Sequence, residues 1–352
     1  MKIEVYSPTI RRKEMDAVLT AMVEEKIGPG DRSRILIQTA KEQIQFDYAL
    51  ALRSPAVALH LALSAVIGQA AGTETEKTHS EKAVIISALS PRYYLNVIKD
   101  LQLTPLFCDV SYDFPSMSRQ TIENVIAAKP DGVEICAIVL HHTLGFIPDS
   151  ASIAELGFPV IEDISQSYGN KIKAAEKLKG CFCILGLEEK DMLTSGGGSL
   201  LFAMNRRDST ALRNFSGIPD EYCLPDINAA LATVQFKELH RNIEKRRGIT
   251  SIYTQASMRT RHKRFIHLTE DEYNHYAFAL VLETGLKDVV TYARKKEIIV
   301  ESAFDKTIAG TGICENCPVS NSLTLRTVLF PLYPRLHSQE AERVSRLIMT
   351  LP

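Results

Sequence analysis

The sequence predicts an α/β protein, with a large domain built on a mostly parallel sheet and a smaller α/β domain towards the carboxyl end. From Lys82 onward, short runs of β-forming residues alternate with amphipathic helical patterns, which is typical of a parallel sheet. These runs lack alternating polar residues, as expected for strands that helices cover on both faces. The chain has 352 residues, 45% of them hydrophobic, which is enough for two such domains.

Strands and helices alternate through the middle of the chain. The predicted strands are AVIISA (83–88), PLFCDV (105–110), EICAIVL (134–140), PVIED (159–163), CFCIL (181–185) and SLLFAM (199–204). The helices predicted between them lie at 94–101, 118–128 and 150–156. Sheets of this kind bind their ligands at the carboxyl ends of the strands, so we expect the functional site there.

Two further helices are predicted before this sheet. One face of the helix at 11–25 carries four apolar side chains: Met15, Val18, Leu19 and Met22. The second helix begins with Ser54 as its cap and Pro55 in its first turn. Residues 72–81 have no apolar periodicity, and we expect them to form an exposed connection.

The large domain is predicted to cover residues 1–230, and the small domain residues 231–352. A long helical pattern at 227–256 would bridge the two. The small domain is expected to contain YAFALVLE (276–283), a helix at 286–296, the strand EIIVE (297–301) and a closing helix at 338–349.

Charge and hydropathy argue against nucleic-acid and membrane partners. Lys plus Arg total 41 and Asp plus Glu total 42, so the net charge of −1 creates no field that attracts polyanions. The longest apolar stretches, such as 56–67, are shorter than the roughly 20 residues that span a bilayer. The first residues are charged, unlike a signal peptide, so we expect a cytoplasmic protein.

The cysteines favour reduced thiols over a disulfide framework or a metal site. Seven cysteines without regular spacing fit a reducing compartment. Cys314 and Cys317 have the spacing of half a zinc site, yet no second pair follows them. We therefore predict no metal.

The segment VIEDISQSYG (160–169) places Asp163 at the end of a predicted strand. Lys190 follows 190 − 163 = 27 residues later, ahead of the glycines at 196–198, which permit a tight turn. Pyridoxal chemistry needs a lysine amine for the Schiff base and a carboxylate at the ring nitrogen. Asp163 and Lys190 are candidates for both. By themselves they are a weak signal, because an Asp at a strand end is common and a lysine preceded by Glu188 and Glu189 is usually an exposed surface residue.

Five segments in order resemble the DegT/DnrJ/EryC1/StrS family, the sugar aminotransferases of pyridoxal fold type I. The segments are SPTIRRKEMDAVLTAMVEEKIGPG, SPAVALHLAL, VIEDISQSYG, EKDMLTSGGGSLLF and VLFPLYPRLHSQEAERV. They are similar to the family's first helix, its SGTAALHLAL helix, its VIEDAAQAHG motif, its lysine and GEGG segment, and its VLSLPLYPGLTDEEVERV segment. The resemblance implies a pyridoxal 5'-phosphate-dependent transferase fold.

The resemblance also implies roles for single residues. Asp163 would pair with the pyridine nitrogen, Gln166 would face the ring hydroxyl, and Lys190 would form the Schiff base and transfer the proton. His142 matches the histidine of the family's VHLYG segment, although a structural imidazole is an equally good interpretation. The implied reaction is transamination of a nucleotide-linked keto-sugar with glutamate as donor, in a homodimer whose subunits share their active sites.

Several positions depart from the family pattern at the cofactor phosphate. Pro55 and Ala56 replace a glycine and a threonine, although Ser54 still starts the helix. At three further positions the family's serine, asparagine and aromatic residue are replaced by Leu185, Glu221 and Pro91. Tyr93 is a candidate replacement for the aromatic residue, and Arg53 for the phosphate contacts.

These departures leave two interpretations open. One is a pyridoxal-phosphate-dependent aminotransferase. The other is a non-catalytic or repurposed relative that keeps the fold as a binding or scaffold protein in surface-polysaccharide biosynthesis. A third reaction, dehydration, ranks lowest, because dehydratases of this family alter the lysine and Lys190 is present.

Overall fold

Seven strands form the central sheet of the computed structural model, which describes residues 2–71, 81–169, 178–215, 218–265, 273–283 and 285–352. The strands are β1 (Tyr48–Leu52), β2 (Glu81–Ser87), β3 (Thr104–Cys108), β4 (Val133–His141), β5 (Val160–Asp163), β6 (Phe182–Gly186) and β7 (Ser199–Ala203). Their spatial order is β1-β7-β6-β5-β4-β2-β3. All six strands predicted for the middle of the chain are confirmed.

Strands β2 to β6 pair in parallel, and β7 and β1 are antiparallel to their neighbours. The prediction of a mostly parallel sheet is therefore confirmed. Strand β1 was not predicted, because YALAL is a short apolar run that periodicity alone cannot distinguish from a helical segment.

The strands lack polar alternation because helices pack on both faces of the sheet. In β6, Phe182 and Ile184 belong to the core on the side of the helix that follows β1. Cys183 and Leu185 belong to the core on the other side, beneath the long helix at 226–257. Each side chain of this strand is buried, so an apolar residue is favoured at nearly every position.

The helices surround the sheet and continue beyond it. They are α1 (Arg12–Val23), α2 (Arg32–Lys41), α3 (Pro55–Ala71), α4 (Tyr93–Asp100), α5 (Arg119–Ala128), α6 (Ser150–Ala154), α7 (Arg206–Arg213), α8 (Asp226–Ser257), α9 (Leu286–Lys295), α10 (Pro318–Arg326) and α11 (Ser338–Met349). The helices predicted from periodicity are confirmed to within a few residues. The predicted connection at 72–81 lies outside the described residues, except for Glu81.

A second sheet of three strands lies towards the carboxyl end, with the order β8-β10-β9. Its strands are β8 (Phe278–Val281), β9 (Glu301–Ser302) and β10 (Thr327–Phe330). The predicted strand EIIVE is mostly wrong, because only Glu301 of it joins this sheet. Ile298 instead forms a bridge with Ile3 near the amino end. The predicted domain boundary at 230 falls inside α8, and the division into two domains stays a prediction.

Helix α1 exposes the apolar face that its pattern predicts. Met15, Leu19 and Met22 are 50%, 54% and 52% exposed. The side chains that α1 buries are those of Glu14 and Ala21.

Two kinds of feature are absent from the described residues. None of their helices is both long and apolar enough to cross a lipid bilayer. Within the same residues, no group of three or more His, Cys, Asp or Glu side chains is arranged to hold a metal ion.

Tyr253 anchors α8 to the second sheet, and its substitution provides a test of this packing. Its side chain is fully buried, its ring lies 5.2 Å from that of Phe278, and its hydroxyl donates to the Pro331 carbonyl at 2.9 Å. We expect Tyr253→Phe to lower the free energy of unfolding by about 1 to 2 kcal/mol, because a buried carbonyl loses its donor.

The matched control is Tyr292→Phe, since the hydroxyl of Tyr292 bonds Thr350 at an exposed position. Its effect should stay within about 0.5 kcal/mol. Denaturant unfolding of both variants checks the prediction, and equal effects would contradict it.

Candidate active site

The carboxyl ends of three parallel strands meet at one edge of the sheet. Strand β4 ends at His141, β5 at Asp163 and β6 at Gly186, and His141 is the register partner of Asp163. Ligands of open α/β sheets bind at this edge. The sequence prediction that Asp163 ends a strand is confirmed.

Donors surround the buried carboxylate of Asp163. Its Oδ2 accepts from the hydroxyls of Tyr94 at 2.7 Å and Tyr93 at 3.3 Å. Its Oδ1 accepts from the backbone N–H of Ser165 at 3.1 Å and from the Ser165 hydroxyl. His141 Nδ1 lies 3.5 Å from Oδ2, which is long for a hydrogen bond, so its contribution is mainly electrostatic.

These neighbours keep Asp163 ionised. Burial alone would raise its pKa, but His141, Ser165 and Tyr94 together hold the pKa of Asp163 well below its usual range. Burial and the charge of Asp163 raise the pKa values of Tyr93 and Tyr94, so both phenols stay protonated and donate. The site therefore contains a permanent negative charge at neutral pH.

His142 lies in a different polar cluster, on the other face of the sheet. Its ring nitrogens contact Ser167 Oγ at 2.7 Å and Glu162 Oε2 at 3.2 Å, and the side chain is fully buried. Glu162 and Asp163 are consecutive strand residues and point to opposite faces. The geometry supports the structural interpretation of His142. The histidine beside Asp163 is His141, which sequence reasoning missed.

The side chain of Gln166 is engaged with the backbone. Its Oε1 accepts from the N–H of Leu144 at 2.6 Å, in the turn after β4. Leu144 has a φ of +54°, an unusual conformation for a residue with a side chain, and this bond helps to hold it. Gln166 thus links the turn after β5 to the turn after β4.

Lys190 lies at the rim of the site. Its Nζ is 3.1 Å from Glu301 Oε2 of β9, and the two side chains are 48% and 46% exposed. The hydroxyl of Tyr276 donates to the Lys190 carbonyl at 3.1 Å. The structure therefore places the amine at an exposed ion pair, and Lys190 is not among the contacts of Asp163.

Asp191, one residue further, is partly buried next to the Asp163 cluster. Its Oδ2 accepts from the Glu188 N–H at 2.9 Å. A Cβ added to Gly186 would lie 2.2 Å from this oxygen and 2.8 Å from Ser165 Oγ, so only glycine fits between the two groups. Burial raises the pKa of Asp191 to about 8, and the charge of Asp163 adds to the effect. No signal in the sequence marked this second carboxyl group.

The glycines at 196–198 form the predicted tight turn. Their φ values are +74°, +139° and +119°, which residues with side chains rarely adopt. The Leu187 N–H donates to the Gly198 carbonyl at 2.8 Å, and the chain then enters β7. The turn closes the loop that carries Lys190 and Asp191.

The expected phosphate end lies at the start of α3. Ser54 Oγ accepts from the Val57 N–H at 3.3 Å, so the predicted cap is confirmed. Pro55 has no N–H to offer an anion. Arg53 Nε donates to the Glu221 carbonyl at 3.2 Å, so the guanidinium is held at the exposed turn 220–222.

The described residues fit the two ends of pyridoxal phosphate unequally. The ionised Asp163 suits a protonated ring nitrogen. Of the positions that the family resemblance assigns to the phosphate, Ala56 and Leu185 offer no side-chain donor, Leu185 is fully buried in the core, and Glu221 carries a negative charge. The residues therefore fit the ring end of the cofactor and do not fit a tightly held phosphate.

The raised pKa of Asp191 predicts a pH effect on stability. Its pKa is raised by folding, so its contribution to stability is present at low pH and is lost as the pH rises through about 8. Asp191→Asn should therefore raise the melting temperature more at pH 8.5 than at pH 5.5.

Melting curves of the wild type and the variant across this range measure the difference. Asp113→Asn, at an exposed position, is the control and should change nothing with pH. A constant offset between wild type and Asp191→Asn would contradict the prediction.

Known proteins resemble this chain over most of its length. The DegT/DnrJ/EryC1/StrS aminotransferase family matches residues 8–349. GDP-perosamine synthase of Escherichia coli O157:H7 is 27% identical over 272 residues, covering 71% of this chain and 70% of that protein. The putative pyridoxal phosphate-dependent aminotransferase EpsN of Bacillus subtilis is 25% identical over 324 residues, covering 86% and 80%.

Solved structures show the same fold. The pyridoxal phosphate form of the putative sugar aminotransferase Spr1654 from Streptococcus pneumoniae has a TM-score of 0.84 at 16% identity, covering 99% of this chain and 98% of that one. PseC from Helicobacter pylori, an aminotransferase of pseudoaminic acid biosynthesis, has a TM-score of 0.84 at 14% identity, with the same coverage. The predicted pyridoxal transferase fold is confirmed.

The predicted class, a sugar aminotransferase with pyridoxal phosphate as cofactor, is confirmed at the level of the family. The order of motifs along the sequence, the sheet topology and the match to residues 8–349 agree. This chain belongs to the DegT/DnrJ/EryC1/StrS aminotransferase family.

Proposed function

We propose that this protein is a pyridoxal-phosphate-dependent aminotransferase that acts on a nucleotide-linked keto-sugar, with glutamate as amino donor. The observation that carries the proposal is the ionised, buried Asp163 at the carboxyl end of β5, beside the loop that bears Lys190. The names of two relatives, GDP-perosamine synthase and dTDP-4-amino-4,6-dideoxy-D-glucose transaminase, support a sugar linked to a nucleotide.

The cofactor would supply an electron sink for the carbon that loses a proton. Asp163 would keep the ring nitrogen protonated, because its own charge is fixed by Ser165 and Tyr94. The Lys190 amine is the group that would bind the cofactor and carry the proton at the reacting carbon. Gln166 is proposed to face the ring hydroxyl.

The contact between Lys190 and Glu301 does not prevent this role. Ion pairs between exposed side chains contribute about 0 to 1 kcal/mol, because water and salt screen them. The amine can therefore leave Glu301 at little cost when a carbonyl partner is present. Ser54, Arg53 and Tyr93 are proposed around the cofactor with less support, since their described bonds go to other protein groups. For His142, on the other face of the sheet from Asp163, a structural role is proposed instead.

A spectrum with the cofactor tests the proposal. Incubation with excess pyridoxal phosphate should produce the visible absorbance band of a lysine-bound cofactor, and borohydride should attach the cofactor covalently to Lys190. Lys190→Ala should lose both signals, whereas Lys99→Ala, at an exposed position on α4, should keep them. A folded wild-type protein without a visible band would refute the catalytic proposal.

A second candidate is a non-catalytic relative that keeps the fold as a binding or scaffold protein. Three observations favour it: the missing donors at Pro55 and Leu185, the negative Glu221, and the outward contact of Lys190 with Glu301. Each lost charge-assisted phosphate contact costs roughly 1.5 to 3 kcal/mol of affinity. Covalent trapping of the cofactor on Lys190 would exclude this candidate.

We also propose a homodimer, in which the exposed face of α1 is covered. Met15, Leu19 and Met22 share this face, and Val23 next to them is 82% exposed. Soluble monomers rarely expose contiguous apolar patches of this kind. The seven free cysteines support a reducing compartment, the cytoplasm.

The oligomeric state tests the role of α1. Light scattering should give a dimer for the wild type and a monomer for the double variant Leu19→Glu and Met22→Glu, because two charges would be buried in the interface. The double charge reversal Arg12→Glu and Lys13→Glu on the same helix should remain a dimer. A wild-type monomer at micromolar concentration would contradict the proposal.

A further inference from the structure

A cavity lies between α8, β8 and the turn after β4, apart from the candidate active site. Its volume is about 400 Å³, and neither Asp163 nor any residue that contacts its carboxylate lines it. Arg247, Thr250, Ser251 and Thr254 follow one another at helical spacing on α8, so they share one face and form a polar wall. The cavity is thus separate from the candidate active site.

The opposite wall is aromatic. The rings of Phe146 and Phe265 are 5.8 Å apart, and those of Phe146 and Tyr273 are 5.9 Å apart. Phe278 of β8 and Leu144 extend this surface. A flat, apolar group would find face and edge contacts here.

The charges around the cavity are positive. Arg247 and Arg264 line it, and no described lining residue carries a carboxylate. Arg264 Nη1 donates to Thr254 Oγ1 at 2.8 Å. Arg247 Nη1 lies 3.2 Å from Glu244, outside the lining. Burial, together with Arg247 and Arg246, lowers the pKa of His275 to about 4, so this imidazole is neutral at pH 7.

Unpaired polar atoms cluster in the same wall. Within the described residues, Arg247 Nε and Nη2, Thr250 Oγ1 and both ring nitrogens of His275 are buried without a hydrogen-bond partner. A buried polar group left without a partner costs roughly 1 to 3 kcal/mol, and native proteins keep few of them. Five such atoms belong to three residues around one cavity, and four of them can donate, because a neutral imidazole has one N–H. This surplus of donors favours a ligand rich in acceptor oxygens.

We propose that this cavity is a second binding site, for a small organic anion with a carboxylate, phosphate or sulfonate head and a flat apolar body. The two guanidinium groups and Thr250 would hold the head, and the rings of Phe146 and Phe265 the body. Its volume lies within the range of small-molecule pockets. Guanidinium forks suit such oxyanions.

The site borders the candidate active site through one residue. Leu144 lines the cavity, and its N–H donates to Gln166 at 2.6 Å. The proposal does not depend on the cofactor, because none of the lining residues is proposed to hold it. Lys190→Ala should therefore keep anion binding, which separates this inference from the proposed transamination.

A fluorescent probe and its uncharged analogue test the charge requirement on the full chain. We expect 8-anilino-1-naphthalenesulfonate to bind with one saturable site, and N-phenyl-1-naphthylamine, which lacks the sulfonate, to bind at least about tenfold more weakly. Arg247→Gln and Arg264→Gln should each weaken the sulfonate about tenfold and leave the neutral analogue unchanged. Arg241→Gln, exposed on the same helix, is the control.

A blocking substitution tests the location. Ser251→Trp would fill the mouth of the cavity from α8 and should abolish sulfonate binding, whereas Lys245→Trp, exposed elsewhere on α8, should not. Thermal unfolding establishes that each variant is folded. Unchanged binding in folded Ser251→Trp, or equal affinity for the sulfonate and the neutral probe, would overturn the proposal.

Discussion

The burial of one ionised carboxylate constrains the whole site. Removing Asp163 from water costs several kcal/mol unless donors replace the lost hydration. Helix α4 supplies two phenols, the turn after β5 supplies Ser165, and β4 supplies His141. Each of these elements must keep its position for the charge to remain. The same requirement leaves no space for a side chain at Gly186, where the Ser165 hydroxyl and a second carboxyl approach each other.

Local sequence patterns correctly predicted the helices and strands whose faces each have one environment, buried or exposed, along their length. Strands β2 and β4 to β7 are mostly buried on both faces, so apolar runs identify them without knowledge of the topology. The closing helix was predicted with the bounds that the structure shows, Ser338–Met349. EIIVE was misassigned because the pairing of Ile298 depends on Ile3, at the far end of the chain. No local pattern contains that information.

The sequence predicted that a carboxylate lies in the site. It did not predict which neighbouring side chains point towards that carboxylate. Asp163 was identified because a carboxylate ends an apolar run. His141 and His142 are adjacent in sequence, and only the exact end of β4 decides which of them faces Asp163. Lys190 and Asp191 present the same difficulty, because the turn at 188–191 decides which of the two side chains points towards the Asp163 cluster. The family resemblance identified Lys190 as the candidate lysine, but it could not indicate where the side chain of Lys190 points.

The loop that carries Lys190 is held from the second sheet. Glu301 of β9 binds its side chain, and Tyr276, just before β8, binds its carbonyl. A fragment that ended after β7 would retain every strand of the central sheet and lose both partners. The central sheet would thus be complete in such a fragment, whereas the loop of Lys190 would lack its contacts with the second sheet. If relatives exchanged their carboxyl-terminal halves, the contacts of Lys190 would change even where the residues next to it in sequence stayed identical.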